Sequence, residues 1–140
     1  MNNDQMMKDI LTSAKTIASV GLSANQEKES YWIAFYLKEQ GYRIIPVNPT
    51  AGEILGEKAY PDLESVPEPI DVVQVFRRSE DVPPVVDSAI KVGAKVVWMQ
   101  EGIVNEEAAQ KAREAGLQVV MNACMRMTHR RLVGPKLMSL

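Results

Sequence analysis

The segment TIASVGLSANQEKESYWIAFYL, residues 16–37, joins an apolar strand to an amphipathic helix through a polar loop. Its first six residues are small or β-branched and stop at Gly21, which is typical of a strand buried in a parallel sheet. Ser30 is a residue type that caps helices, and apolar residues follow it at helical spacing up to Gly41. The segment therefore predicts the first strand, loop and helix of an α/β fold.

Further apolar runs have the length and the β-branched content of strands that are buried on both faces. They are RIIPVN (43–48), DVVQVF (71–76), AKVVWMQ (94–100) and LQVVMN (117–122). Strands alternating with helices favour parallel pairing, because each return of the chain crosses the sheet in a helix. The pattern predicts an α/β, Rossmann-like, doubly wound fold with a mainly parallel five-stranded sheet flanked by helices.

Helical patterns separate most of these strands, and two begin with suitable N-cap residues, Ser79 and Asn105. The predicted helices run from Asp4 to Ala14, from Ser79 to Gly93 and from Asn105 to Gly116. The connection 49–69 is long for a structureless loop in a compact domain. We therefore expect a short strand near Lys58–Tyr60 and a helical turn at Asp62–Val66.

The composition excludes several classes of protein. With 140 residues, 46% of them hydrophobic and 24% charged, we expect a single globular domain over residues 1–140. A net charge of -2 gives no electrostatic footprint for nucleic acid. One cysteine excludes an internal disulfide, and no apolar run reaches the roughly 20 residues that span a bilayer. Since the N-terminus does not resemble a signal peptide, we expect a cytoplasmic protein without membrane partners.

The loop after the first strand is the first candidate ligand site, because open α/β sheets bind ligands outside the carboxyl ends of their strands. A phosphate there would meet the N-terminus of the following helix, two hydroxyls and one lysine. The residues concerned are Gly21, Ser23, Asn25, Lys28 and Ser30. The same residue types also form ordinary turns and caps, so the loop alone leaves both interpretations open.

Standard nucleotide motifs are absent from the sequence. A dinucleotide site has G-x-G-x-x-G and an acidic residue after the second strand, whereas here Gly21 stands alone and Asn48 ends that strand. The P-loop pattern G-x-x-x-x-G-K-[ST] does not occur either. A conventional NAD site and a P-loop NTPase are therefore disfavoured.

An ordered set of motifs over about residues 10–132 is more specific than any one of them. The set comprises Gly21-Leu22-Ser23-x-Asn25, PVNP (46–49), EILGEKAYPDL (53–63), FRR (76–78), AKVVWMQEGIVNEEAA (94–109) and Cys124-x-x-x-x-His129. Together they resemble the small bacterial and archaeal CoA-binding proteins. Those proteins are similar to the CoA-binding domain of the succinyl-CoA synthetase α subunit.

This resemblance implies a stand-alone, noncatalytic module that binds coenzyme A or an acyl-CoA across the strand ends. It implies a phosphate loop, an adenine-side turn, a turn after the third strand and a segment near the pantetheine path. The corresponding residues are Gly21, Ser23, Asn25, Lys28 and Ser30; Val47, Asn48 and Pro49; Phe76, Arg77 and Arg78; and Glu101 and Gly102. We expect no catalytic residue, because the synthetase uses a phosphorylated histidine in a later domain and His129 lies in a different segment.

Three alternatives remain open on the sequence. Cys124, activated by His129 or a nearby arginine, would make a thiol-active or redox protein, although a free cysteine more often packs as a small hydrophobe. The two residues are too few for an ordinary metal site, so we expect none. Arg77 and Arg78 suit a split role, one binding phosphate or carboxylate and the other pairing with an acidic residue of the next helix. The oligomeric state is open, and a homodimer is one alternative.

Overall fold

The β-branched runs of the sequence form a parallel sheet that lies between two layers of helices. The structure is a computed structural model and describes residues 2–136. The sheet strands are β1 (Thr16–Val20), β2 (Arg43–Val47), β5 (Val72–Val75), β6 (Val96–Met99) and β7 (Gln118–Val120), and β3 (Glu53–Ile54) and β4 (Glu57–Lys58) form a separate hairpin. The helices are α1 (Asp4–Ser13), α2 (Glu29–Glu39), α3 (Val82–Lys91), α4 (Glu106–Glu114) and α5 (Met125–Leu132). The predicted fold class is confirmed.

The strand order β2-β1-β5-β6-β7 places a topological switch at the centre of the sheet. β2 pairs on one side of β1, and β5, β6 and β7 then follow on the other side. Val20 is level with Val47 and with Val75, so the carboxyl ends of β1, β2 and β5 lie side by side. The crevice outside the ends of β1 and β5 is where open α/β sheets bind ligands.

Both faces of the sheet are covered, which explains why the strands have continuous apolar sequences. Ile17, with its neighbours on that face, packs under α1, α2 and α5, whereas Ala18 and Val73 face α3 and α4. Within residues 2–136, no helix is both long and apolar enough to cross a bilayer.

Helix α5 was not predicted from the sequence. Its buried positions are Met125, Thr128 and His129, and two of these three side chains are polar, so no continuous apolar stripe marks the buried face in the sequence. His129 compensates by bonding: its Nδ1 lies 2.8 Å from the Tyr36 hydroxyl of α2, and its ring packs edge-on against Tyr36 and Tyr42. A specific polar contact thus holds α5 where an apolar stripe would normally do so.

The N-cap prediction is correct at Asn105 and wrong at Ser79. The Asn105 side-chain oxygen accepts a hydrogen bond from the Ala108 N–H at 2.9 Å. α3 begins at Val82, after a 3-10 turn, and the Ser79 hydroxyl instead accepts from the Val104 N–H at 3.0 Å. Ser79 therefore ties two neighbouring loops together.

The long connection 49–69 has structure of its own, as expected, but its strand is only partly where it was predicted. Lys58 ends β4, while Tyr60 forms a single parallel bridge with Val47 at the edge of β2. The predicted helical turn is confirmed as a 3-10 turn at Leu63–Ser65. Arg43 of β2 holds this region through ion pairs to Glu57 and Glu68.

The opposite edge of the sheet is completed by a side chain. The Asn2 amide donates to the Met121 carbonyl at 2.6 Å and accepts from the Met121 N–H at 3.1 Å. Asn2 thereby makes the two hydrogen bonds that a neighbouring strand would make next to β7. The polar backbone just after β7 is paired without a further strand.

The burial of His129 predicts a pH dependence of folding stability. Burial, with a smaller contribution from Lys136, lowers the pKa of His129 below its ordinary value of 6.5. Because the unfolded chain then takes up a proton that the folded chain does not, this contribution to stability is complete above pH 6.5 and is lost below it. Urea unfolding from about pH 8 to about pH 5.5 should show a smaller loss of stability for His129→Leu than for the wild type. Equal losses would contradict this account.

Candidate functional site

Two cavities flank the carboxyl end of β1, at the topological switch. The first has a volume of about 380 Å³ and the second about 350 Å³. The first brings together six of the predicted residues, namely Gly21, Ser23, Lys28, Ser30, Phe76 and Glu101. The second is lined by two more, Val47 and Arg77. The structure thus collects most of the predicted residues in one crevice, although it divides them between two chambers.

The loop between β1 and α2 is held by its own side chains. The Ser23 N–H donates to the Ser30 hydroxyl at 3.2 Å, and the Asn25 N–H donates to the Ser23 hydroxyl at 3.0 Å. Ser30 is therefore not the predicted helix cap. α2 begins at Glu29 with Lys28 as N-cap, and no side chain caps it. The positive end of the helix dipole and Lys28 lie beside the cavity and favour an anion, while Glu29, which lines the same cavity, pairs with Arg126 at 3.6 Å.

Gly21 lets the ends of β1 and β5 approach each other closely. Its φ of +87° is costly for any residue with a side chain, and a Cβ built on it would lie 2.9 Å from the Phe76 carbonyl oxygen. Its N–H donates to the Val47 carbonyl at 3.0 Å. Only glycine allows this close backbone turn at the wall between the two cavities.

The predicted adenine-side turn is held by hydrogen bonds of Asn48, and its ligand role stays a prediction. The Asn48 amide donates to the Leu22 carbonyl at 2.9 Å, and its oxygen accepts from the Thr50 N–H at 2.9 Å. Neither Asn48 nor Pro49 lines the two cavities at the end of β1. The same holds for Asn25, whose side-chain oxygen accepts from the Glu27 N–H inside the loop. These side chains shape the crevice from outside it.

The two arginines that follow β5 have different surroundings. The Arg78 Nε lies 3.0 Å from an Asp81 oxygen, a contact that raises the pKa of Arg78. Arg77 is half-buried and lines the second cavity. The predicted ion pairing is confirmed for Arg78, and the ligand role of Arg77 stays a prediction.

The segment after β6 contributes one exposed carboxylate and a tight turn. Glu101 lines the first cavity, and within residues 2–136 its carboxylate has no ion-pair partner. Gly102 does not line it, and its N–H donates to the Asn122 side chain at 2.7 Å. The turn therefore connects the ends of β6 and β7 and presents Glu101 to the crevice.

Sequence analysis missed Gln100, which lines the first cavity and is only 4% exposed. Its Oε1 accepts from the Gln74 amide at 3.1 Å and from the Met125 N–H at 3.0 Å. The Gln74 oxygen in turn accepts from the Ser19 hydroxyl at 2.7 Å. The signal that could have revealed this chain is a polar residue near the end of three apolar runs, Ser19 in β1, Gln74 in β5 and Gln100 directly after β6, since buried polar groups need partners.

Cys124 and His129 do not form a pair. Cys124 is buried and lines the first cavity, whereas His129 lines a different cavity and bonds Tyr36. Among residues 2–136, no cluster of three or more histidine, cysteine or acidic side chains is arranged to hold a metal ion. Any thiol chemistry in the crevice would therefore involve Cys124 without His129.

Comparison with known proteins identifies the family. The sequence profile described as "CoA binding domain" matches residues 15–130. The Bacillus subtilis (strain 168) protein YneT is 45% identical over 123 residues, which cover 88% of this chain and 91% of YneT. A solved structure titled "hypothetical protein from Pyrococcus horikoshii OT3" superimposes with a TM-score of 0.92 at 44% identity, covering 95% of this chain and 94% of that one.

A larger relative contains the same region as one part of its length. The acetate–CoA ligase (ADP-forming) II of Archaeoglobus fulgidus is 30% identical over 100 residues, which cover 70% of this chain and only 15% of the ligase. The similarity therefore concerns a small part of that enzyme. The comparisons support CoA association through this region. They carry no information on the ligase activity, because all but 15% of the ligase lies outside the matched region.

The close approach at Gly21 predicts a large cost for a single methyl group. Gly116 has a similar φ of +93° but has nothing within 4 Å of an added Cβ, so it is a matched control. Gly116→Ala should cost about 1–2 kcal/mol for the left-handed backbone alone. Gly21→Ala should cost about 3 kcal/mol or more, because the Phe76 carbonyl must also move. Urea unfolding of both variants measures this difference, and equal costs would show that the contact is easily relieved.

Proposed function

The chain belongs to the CoA binding domain family, and we propose that it binds coenzyme A or an acyl-CoA as a stand-alone, noncatalytic module. The observation that carries the proposal is the first cavity, which lies at the topological switch and is bordered by Lys28 and the uncapped N-terminus of α2. An anion there gains from the helix dipole and from the lysine charge together.

The shape of the crevice suggests how the ligand is divided. The pyrophosphate lies at the loop, where it meets the Lys28 ammonium and the N-terminus of α2. The pantetheine arm occupies the first cavity, whose walls include the apolar side chains of Ile33, Phe76 and Ile103. The adenosine part crosses the end of β1 into the second cavity, beside Arg77. This arrangement assigns each chemical part of CoA to surroundings of matching polarity.

A thiol-active protein is the alternative function, and the position of Cys124 favours it, because this thiol lines the same cavity. In that case Cys124 would exchange with a CoA disulfide, forming a mixed disulfide and releasing one CoA thiol. Binding without chemistry is better supported, since within residues 2–136 the Cys124 thiol has no side-chain hydrogen-bond partner and His129 bonds Tyr36 instead. Loss of CoA disulfide reactivity in Cys124→Ala, with binding retained, would favour the alternative.

The proposal predicts that CoA stabilises the protein against heat. At about 100 times its dissociation constant, a ligand raises the unfolding free energy by roughly 2.7 kcal/mol. Lys28→Ala should weaken CoA binding about tenfold, because it removes a charge-assisted contact to phosphate. Lys8→Ala is the matched control, since Lys8 is exposed on α1.

The ligand panel for this thermal titration should include acetyl-CoA, dephospho-CoA, NAD and ATP. A weaker effect of dephospho-CoA would show that the 3′-phosphate is recognised. A response to NAD without a response to CoA would contradict the proposal. Equal affinity of wild type and Lys28→Ala for CoA would move the phosphate site away from this loop.

We also propose that the module forms a homodimer through α2 and α5. Trp32, Phe35 and Met127 are between 39% and 55% exposed and lie on these two adjacent helices. Glu39 lies on the same face of α2 as Trp32 and Phe35, and Arg130 follows Met127 by three residues on α5. Within the described part of the chain neither charge has an ion-pair partner. Glu39 of one copy can thus pair with Arg130 of a second copy while the exposed aromatic side chains of α2 pack against Met127.

The two unpaired charges supply the test of this dimer. Glu39→Arg and Arg130→Glu should each weaken association, because each places like charges opposite one another, and the double variant should restore it. Sedimentation velocity at low salt measures the association. A wild type that is monomeric at every concentration, or single variants that associate as the wild type does, would contradict this interface.

A further inference from the structure

Gln100 lines the first cavity with a side-chain amide that is only half bonded. Its oxygen accepts two hydrogen bonds, and its nitrogen donates none to residues 2–136. We propose that the Gln100 side-chain N–H donates a hydrogen bond to a carbonyl oxygen on the thiol-bearing arm of the ligand. That carbonyl belongs either to a pantetheine amide or to the thioester of an acyl-CoA. The inference rests on the proposed function and adds a residue that recognises one part of the ligand.

The orientation of the Gln100 amide follows from one backbone group. The Met125 N–H can only donate, so the Gln100 atom 3.0 Å from it must be the oxygen. The Gln74 atom that lies 3.1 Å from the same oxygen must then be its amide nitrogen. This leaves the Gln74 oxygen to accept the Ser19 hydroxyl at 2.7 Å. The backbone therefore fixes the direction of every bond in the chain, and an amide flip is excluded.

The same argument leaves the Gln100 nitrogen free. Gln100 is only 4% exposed, and its nitrogen donates to none of residues 2–136. Within these residues the only fully buried side-chain polar atom without a partner is the Arg126 Nε, so the Gln100 nitrogen is not sealed in the core. Since Gln100 lines the first cavity, the cavity is where this donor is accessible.

The surroundings of the donor select a neutral acceptor. Ile33, Phe76 and Ile103 line the same cavity, and their side chains offer no acceptor to the amide. A ligand that fills the cavity with aliphatic groups alone would leave the donor unpaired, at the cost of a lost hydrogen bond. A pantetheine arm combines aliphatic groups with amide carbonyls, and an acyl-CoA adds a thioester carbonyl. Both offer the acceptor that this donor needs.

Gln100→Glu isolates the donor from the rest of the chain of hydrogen bonds. An ionised carboxylate still accepts from the Met125 N–H and from the Gln74 amide, but it cannot donate. We expect about a tenfold weaker affinity for the ligand that carries the recognised carbonyl at about pH 8. The affinity should partly recover as the pH falls, because a protonated buried carboxyl donates again. Gln110→Glu, which makes the same change at an exposed position of α4, is the control.

Isothermal titration with three probes separates the two carbonyl sources. Adenosine 3′,5′-bisphosphate lacks the arm and should bind wild type and Gln100→Glu equally. If a pantetheine amide is recognised, CoA and acetyl-CoA both weaken; if the thioester is recognised, acetyl-CoA weakens and CoA does not. Unchanged affinity for both, or an equal loss with the bisphosphate, would overturn the assignment.

Two results distinguish this inference from the proposed function. A wild type that binds CoA while Gln100→Glu behaves identically overturns only the role of Gln100. A wild type that binds none of the three probes overturns the proposed function, and the role of Gln100 falls with it. If Gln100→Glu does not fold, Gln100→Met removes the donor without adding a charge and should give the same loss of affinity.

Discussion

The backbone N–H of Met125 controls much of what the crevice can do. It donates a hydrogen bond to the Gln100 side-chain oxygen. Through Gln100 and Gln74 the same chain of hydrogen bonds reaches Ser19 of β1. Three strands and the start of α5 are thereby joined by groups that are almost completely buried. Each of these polar groups would cost about 1–3 kcal/mol if it lacked a partner, so the chain works only as a whole. It fixes the floor of the first cavity and the entry of α5 beside it.

The regular part of the fold follows from local sequence patterns. Five β-branched runs and the helix signals between them are sufficient to predict a parallel α/β sheet, because strands buried on both faces have no polar side to confuse the pattern. Helix α5 escaped prediction because its buried face includes the polar residues Thr128 and His129, and the contacts of His129 with Tyr36 and Tyr42 hold it in place. Ser30 and Ser79 are good capping residue types, but Ser30 bonds back to Ser23 of the preceding loop and Ser79 bonds to the loop at Val104. Caps depend on three-dimensional neighbours that a local pattern does not contain.

The candidate site shows the same division between local and distant information. The loop after Gly21 and the lysine that follows were predicted because they lie next to each other in the sequence. Gln100 and Cys124 enter the cavity from elements that are far apart in the chain, and only the fold brings them to the loop. Of the residues that the resemblance to the CoA-binding family implies, eight line the two cavities, whereas Asn48 and Pro49 lie outside them. Their contacts with a ligand stay predictions.

The two outer strands have a consequence for the behaviour of the protein at high concentration. Tyr60 pairs beside β2, and the Asn2 side chain occupies the backbone just after β7. Open sheet edges are templates on which further chains add strands, and this is a common route to aggregation and amyloid. Here a bridging residue and an asparagine side chain obstruct that route at opposite ends of the sheet. Addition of a further strand is therefore hindered next to Val47 and next to Met121, at the two ends of the strand order.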